Sequence, residues 1–266
     1  MPIHYEQDDH VVLITIDRYA KRNALDLDHA TALFDCWKRF RDDPEAWVAI
    51  VTGVDNAFCA GGDLAMVADI AREEAAFGHS ETGARLYNYG EGYFTLKGLE
   101  IFKPIIAAVN GYCMAGGMEL LMGTDIRLAS DRATFAVSEP SRGVIAAGGT
   151  TARMPRQIGW AASMEILLTA RPIDAERALR LGLLNDVVPH DTLLDTARLW
   201  AAEICRNAPL AVQATKKSAA LGLAAGSLAE AFRIEDECAK DLLGTEDAQE
   251  GPRAFLEKRP PVWKGR

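Results

Sequence analysis

The sequence predicts an α/β fold, with an α/β core over residues 1–190 and a helical region over 191–266. Three observations predict it. Short apolar runs rich in β-branched residues sit at 11–16, 47–52 and 105–109, the pattern of strands covered on both faces. Apolar residues at helical spacing alternate with these runs, most plainly Leu33, Phe34, Trp37 and Phe40. Beyond about residue 150 the strand pattern gives way to consecutive amphipathic segments.

The run 11–16 is the first expected strand. Asp26 or Asp28 can cap the helix carrying Leu33, Phe34, Trp37 and Phe40, and Asp43 followed by Pro44 stops it. Strand 47–52 leads into the glycine turn Asn56-Ala-Phe-Cys-Ala-Gly-Gly-Asp-Leu64, and a helix runs from Asp63 to about Glu74. The stretch 75–92, with Gly78, Gly83, Gly90 and Gly92, is the least regular part and is expected to form a mobile flap. A helix over about 91–101 leads out of it. The segment Lys103-Pro-Ile-Ile-Ala-Ala-Val-Asn-Gly-Tyr-Cys-Met-Ala-Gly-Gly-Met-Glu119 then reads as a buried strand, a glycine turn and the first turn of a helix ending near Gly123. A strand pair at 125–130 and 132–137 precedes Ser138-Glu139-Pro140-Ser-Arg-Gly143 and a third glycine stretch, Ala146-Ala-Gly-Gly-Thr150. Helices are expected at 151–158, 161–169, 174–181, 190–206, 208–222 and 227–243. Such a tail serves either as an oligomerisation element or as an intramolecular cap.

A chain of 266 residues with 49% hydrophobic and 25% charged residues can bury one substantial core. Its net charge of −9 argues against nucleic acid or an anionic membrane as the main partner. A local basic patch can still take a phosphate-rich ligand. The start, Met1-Pro-Ile-His-Tyr-Glu, lacks the basic and apolar regions of a secretory signal, and no apolar run reaches the ~18 residues that span a bilayer. A cytoplasmic protein is expected. Cys36, Cys59, Cys113, Cys205 and Cys238 form no C-x-x-C pair, and the five histidines show no ligand spacing, so neither a disulfide framework nor a metal site is expected. Cys59 and Cys113 lie in the glycine turns but have no histidine near in sequence; small buried hydrophobes are expected rather than nucleophiles.

The chemistry concentrates at the glycine turns. A helix beginning near Gly116 presents unpaired backbone N–H groups, and Glu119 falls within its first turn. With the turn at 56–64, two strand-to-glycine-loop units can supply the two donors of an oxyanion hole. Either turn alone is equally an ordinary βα connection. Glu139 can return along the strand pair to lie beside the same loop; beside Pro140 and Ser141 it could instead be a solvated turn residue. Two carboxylates in one apolar pocket split their pKa values into a proton donor and an acceptor. That suits proton transfer at a carbon next to a thioester carbonyl.

Several segments together resemble the enoyl-CoA hydratase/isomerase (crotonase) family. They are Ile14-Thr-Ile-Asp-Arg with Lys21-Arg-Asn-Ala-Leu25, Ala57-Phe-Cys-Ala-Gly-Gly-Asp-Leu64, Lys103 to Gly111, Gly116-Gly-Met-Glu-Leu120 and Asp125-Ile-Arg. Glu139 to Gly143, Leu168-Thr-Ala-Arg-Pro-Ile, Gly182-Leu-Leu-Asn-Asp-Val-Val and Glu250-Gly-Pro-Arg-Ala-Phe-Leu-Glu-Lys-Arg259 continue the match in family order. The resemblance implies a crotonase-like superhelix of ββα units with a helical C-terminal trimerisation region, assembled as a homotrimer or a dimer of trimers. It implies an enoyl-CoA hydratase adding water syn across a trans-2-enoyl-CoA; isomerase, acyl-CoA hydrolase and lyase are the alternatives on the same hole. Ala60 and Gly116 match the oxyanion donors, and Glu119 and Glu139 match the catalytic glutamates. Coenzyme A enters only as part of the substrate, expected along Lys21, Arg22, Ala24 and the 57–63 segment, including Ala57, Cys59, Gly62 and Asp63. Leu64 and Gly117 are expected to contact the substrate, and Met66, Ile70, Met118 and Ile145 either line the acyl pocket or pack in the core, while Phe255 and Lys258 would reach a neighbouring subunit's CoA. Two departures stand out. Ala115 replaces a third glycine, and the loop Val144-Ile-Ala-Ala-Gly-Gly lacks a proline and is shorter than in some hydratases.

Overall fold

The computed structural model describes residues 3–86 and 94–266. Its strands are β1 (Ile3–Asp8), β2 (Val11–Ile16), β3 (Val48–Gly53), β4 (Ala57–Cys59), β5 (Ile105–Val109), β6 (Tyr112–Met114), β7 (Ile126–Ser130), β8 (Thr134–Ala136), β9 (Ile173–Asp174) and β10 (Asp186–Val188). The helices are α1 (Leu27–Asp42), α2 (Leu64–Phe77), α3 (Glu81–Leu86), α4 (Gly116–Leu121), α5 (Thr150–Gln157), α6 (Trp160–Thr169), α7 (Ala175–Arg180), α8 (Leu193–Cys205), α9 (Pro209–Ala224), α10 (Leu228–Leu242) and α11 (Glu246–Leu256).

The strands form a six-stranded sheet, β1-β2-β3-β5-β7-β10, and a four-stranded sheet, β4-β6-β8-β9. Pairing is parallel except at the two ends, β1 with β2 and β8 with β9. Each central strand of the large sheet is followed at once by a strand of the small one: β3 by β4, β5 by β6, β7 by β8. This is the ββα repeat, and it explains a gap in the sequence reading. Three-residue strands are too short to show a period, so 57–59 and 112–114 read as parts of glycine turns.

The central strands are apolar because both faces are covered. On one face lie α1, with Ala30, Leu33, Trp37 and Phe40 buried, and the rest of the main core. On the other, Leu193, Ala197 and Ala201 of α8 pack on Val48, Ile50, Ile106, Ala108 and Leu128. Helix α8 thus belongs to the core although it lies beyond residue 190. Asp26 caps α1 by accepting from the His29 amide at 3.1 Å. Phe34 is only half-buried, Ala30 taking its expected place in the stripe.

Other expectations need correction. Helix α2 continues to Phe77, where Gly78 ends it at φ 72°, and α3 follows, so most of 75–86 is regular. Residues 94–98 are turns and 99–101 have no regular structure, rather than a helix, with Leu96 at φ 63°; 87–93 lie outside the described residues. Helix α11 forms beyond 243, where no helix was expected, and includes Pro252. Thr245 caps it, and Asp247 and Glu250 fasten the chain end by accepting from the amides of Lys264, Gly265 and Val262. Among the described residues no helix is long and apolar enough to cross a membrane.

Candidate active site

The C-terminal ends of β4, β6 and β8 open onto one cavity of about 870 Å³. This is where parallel strands commonly present their loops to a ligand. Ala60 and Gly62 line it after β4, Ala115 and Gly116 after β6, and Ser138 and Glu139 after β8.

Glu119, on α4, is buried and lines the cavity. Its Oε1 accepts from the Gly148 amide. Burial pushes its carboxyl from the usual 4.5 up to about 7; the Gly148 amide pulls it down, and nearby Glu139 pushes it further up. Gly148 is itself clamped. Thr95 Oγ1 donates to its carbonyl at 2.7 Å, and Lys97 Nζ donates to the Ala147 carbonyl at 2.8 Å. Arg153 donates to the Thr95 and Leu96 carbonyls at 2.9 Å each. A Cβ at position 148 would overlap the Glu119 carboxylate, so only glycine leaves that side chain its place.

Glu139 opens the 3₁₀ turn Glu139–Arg142 and lines the same cavity. It is buried, and its Oε2 has no hydrogen-bond partner among the described residues. Burial raises its pKa as well. Two carboxyls with raised pKa values thus border one cavity, an arrangement suited to giving and taking protons near neutral pH.

The backbone donors differ from the sequence expectation. The Ala60 amide donates to the Arg22 carbonyl at 3.1 Å. The 22–25 segment pairs with the loop as an added strand, Leu25 donating to the Gly61 carbonyl and the Asp63 amide to that of Leu25, each at 2.8 Å. Amides 60 and 63 are thereby engaged, whereas no described residue accepts from Gly62 or Gly116. These two amides are neighbours: a Cβ on Gly116 would stand 3.4 Å from the Gly62 nitrogen. Gly62 therefore replaces Ala60 as the candidate partner of Gly116. Gly-rich spacing showed a donor loop but not which of its peptides was already bonded.

Lys21, Arg22, Ala24, Asp63 and Leu64 line the side of the cavity beyond β4. Arg22 lies over the Tyr112 ring, 4.9 Å from its centre. Buried Asn23 anchors this loop, its Nδ2 donating to the carbonyls of Val54 at 3.0 Å and Ala57 at 2.6 Å. Asp63 also has structural duties: it caps α2 and pairs with Arg18 at 2.8 Å. Ala57, Cys59, Gly117 and Met118 are buried behind the lining rather than part of it. Gly117 packs so closely on the Cys59 carbonyl that no side chain fits there. Burial pushes the Cys59 thiol up to about 12, and Cys113 well above its ordinary value, so neither carries a thiolate near neutral pH. Met66 packs against the core outside the lining; Ile145 does line the cavity and is 69% exposed. Phe255 and Lys258 are exposed at the end of α11, away from the cavity walls.

Of the wall formed by α2 the sequence reading named only Leu64, and it missed one pole. Leu64, Val67, Ala68 and Ala71 of α2 form a stripe at i, i+3, i+4 and i+7 that faces the cavity rather than the core. Ser138, Ser141 and Arg142 line it beside Glu139.

The family model for enoyl-CoA hydratase/isomerase matches residues 6–266. An (E)-benzylidenesuccinyl-CoA hydratase of Thauera aromatica is 37% identical over 266 residues, covering 100% of both chains. A carnitinyl-CoA dehydratase of Citrobacter koseri is 39% identical, covering 99% of this chain and 98% of its own. The crystal structure of an enoyl-CoA hydratase from Bacillus anthracis superposes with a TM-score of 0.91 at 30% identity, covering 100% of both chains.

Proposed function

The chain belongs to the enoyl-CoA hydratase/isomerase family as a hydro-lyase of acyl-CoA thioesters, and on that premise we propose that it adds water syn across a trans-2-enoyl-CoA. One observation carries the reading: two unpartnered amides, Gly62 and Gly116, and two buried carboxyls, Glu119 and Glu139, line a single cavity. The thioester oxygen accepts from the two amides, which stabilise the enolate character that develops as the β-carbon is attacked. Glu119, with its pKa near 7, takes a proton from the attacking water. Glu139, whose carboxyl burial raises above its ordinary value, lines the same cavity and delivers a proton to the α-carbon from the same side. The two titrate as a coupled pair, and proton exchange between them or with water restores the starting state.

Lys21 and Arg22 answer the CoA phosphates at the mouth. The assembly is a homotrimer or a dimer of trimers, in which Phe255 and Lys258 of one copy reach the CoA of the next. Exposed Leu223, Leu228, Phe232, Leu243 and Leu256 on the C-terminal helices support such an interface.

Loss of enoyl absorbance with crotonyl-CoA tests the function. Wild type is expected to turn over, and Glu119→Gln to lose about 10²–10⁴-fold in kcat. Undiminished turnover in Glu119→Gln would point instead to an isomerase working through Glu139 alone.

A further inference from the structure

The cavity has two cationic poles, and only one is used above. Lys21 and Arg22 stand outside β4, at one side of the small sheet. Arg142 stands past β8, and Ala170 and Pro172, which lead into β9, also line the cavity. In the order β4-β6-β8-β9 the two poles thus follow different strands of the small sheet, one beside β4 and the other after β8. Glu119 and Glu139 line the cavity along with both.

Arg142 is aimed by the geometry of its turn. Glu139–Arg142 is a 3₁₀ turn, in which residues i and i+3 eclipse, so Arg142 lies on the face that Glu139 presents to the cavity. Its charge acts on Glu139. Its hydrogen bond goes to the Ser138 carbonyl at 3.3 Å, and no carboxylate among the described residues forms an ion pair with it. A guanidinium has five donors in a planar fork, so most of Arg142's remain free. Ser138 and Ser141 line the same wall, the Ser141 hydroxyl donating to the Ser138 carbonyl at 2.7 Å. The rest of the acyl side is apolar: the α2 stripe, Leu86, Phe94, Val144 and Ile145.

We propose that Arg142, with Ser138, is an oxyanion subsite that receives a carboxylate carried by the acyl group. The substrate class is then an enoyl-CoA anionic at both ends: phosphates at Lys21 and Arg22, a carboxylate at Arg142, and the reacting carbons between them. This rests on the acyl-thioester reading above.

The test uses full-length protein with trans-2-hexenoyl-CoA and its ω-carboxylated analogue, comparing kcat/KM for wild type, Arg142→Gln and Arg142→Lys. Wild type is expected to favour the carboxylated substrate. Arg142→Gln is expected to lose at least about tenfold more on that substrate than on the neutral one, the scale of a lost charge-assisted hydrogen bond. Arg142→Lys recovers part of the difference. A common factor of loss on both substrates and on inhibition by free CoA would assign Arg142 to a CoA phosphate and overturn the proposal. Equal use of both substrates by wild type would overturn it too. If wild type hydrates neither compound, the hydratase reading fails on its own. Binding of hexanoyl-CoA and adipoyl-CoA to wild type and Arg142→Gln, measured by calorimetry, then still decides the subsite by the same ratio.

Discussion

Glu119→Gln is expected to stabilise the protein while it disables the proposed chemistry, and the gain should depend on pH in a calculable way. The folded-state pKa of Glu119 lies at about 7, against 4.5 for an unperturbed carboxyl. Below pH 4.5 the group is protonated in both the folded and unfolded chains and contributes no difference. Between 4.5 and 7 the unfolded chain ionises while the folded one keeps its proton, so wild-type stability falls as pH rises. Above 7 the loss reaches its full size. At about 1.4 kcal/mol per pKa unit the shift corresponds to ~3 kcal/mol. Glutamine keeps an oxygen to accept from the Gly148 amide and carries no charge to bury. The variant should therefore melt roughly 5–10 °C above wild type at pH 8, and the two should converge near pH 4.5. Thermal unfolding of both proteins across that range measures it. A melting-temperature difference that stays constant with pH would refute the burial argument for Glu119.

Two further outcomes follow from the backbone around the site. Gly148→Ala places a methyl group against the Glu119 carboxylate and should cut kcat on crotonyl-CoA by about 100-fold, while far-UV circular dichroism stays at the wild-type signal. Ala115 holds φ 50° and ψ −119°, a conformation that favours glycine. Ala115→Gly should consequently raise stability by about 1 kcal/mol in urea unfolding, whereas an ordinary helix-start alanine would lose stability on the same change.

What was legible in the sequence follows the length of each pattern. The runs 11–16 and 105–109 match β2 and β5 because strands buried on both faces carry an unmistakable apolar signature. Helices α8, α9 and α10 were within reach for the same reason, each being long enough to show its period. The second sheet was not: β4 and β6 have only three residues each, and β8, inside the expected strand 132–137, was read as the partner of β7 although the two lie in different sheets. The small edge strands β9 and β10 also escaped, and so did β1, whose Ile3-His-Tyr-Glu-Gln-Asp alternates weakly. At the site, residue types and glycine spacing brought Glu119, Glu139 and Gly116 forward, and all three line the cavity. The donor at 60 could not be judged from spacing, because its engagement depends on Arg22, distant in sequence and brought alongside by the Leu25 to Gly62 pairing. Likewise, nothing local to Gly148 told that its amide meets Glu119; that contact joins the third glycine loop to α4 through the Thr95 and Arg153 clamp.

The most direct measurement is a crystal structure with an unreactive saturated acyl-CoA bound. The thioester oxygen should lie about 2.7–3.1 Å from the nitrogens of both Gly62 and Gly116, with the Ala60 amide still on the Arg22 carbonyl and both glutamate carboxyls facing the α- and β-carbons. An oxygen bound at Ala60, or a thioester whose reacting carbons face away from Glu119 and Glu139, would contradict the account.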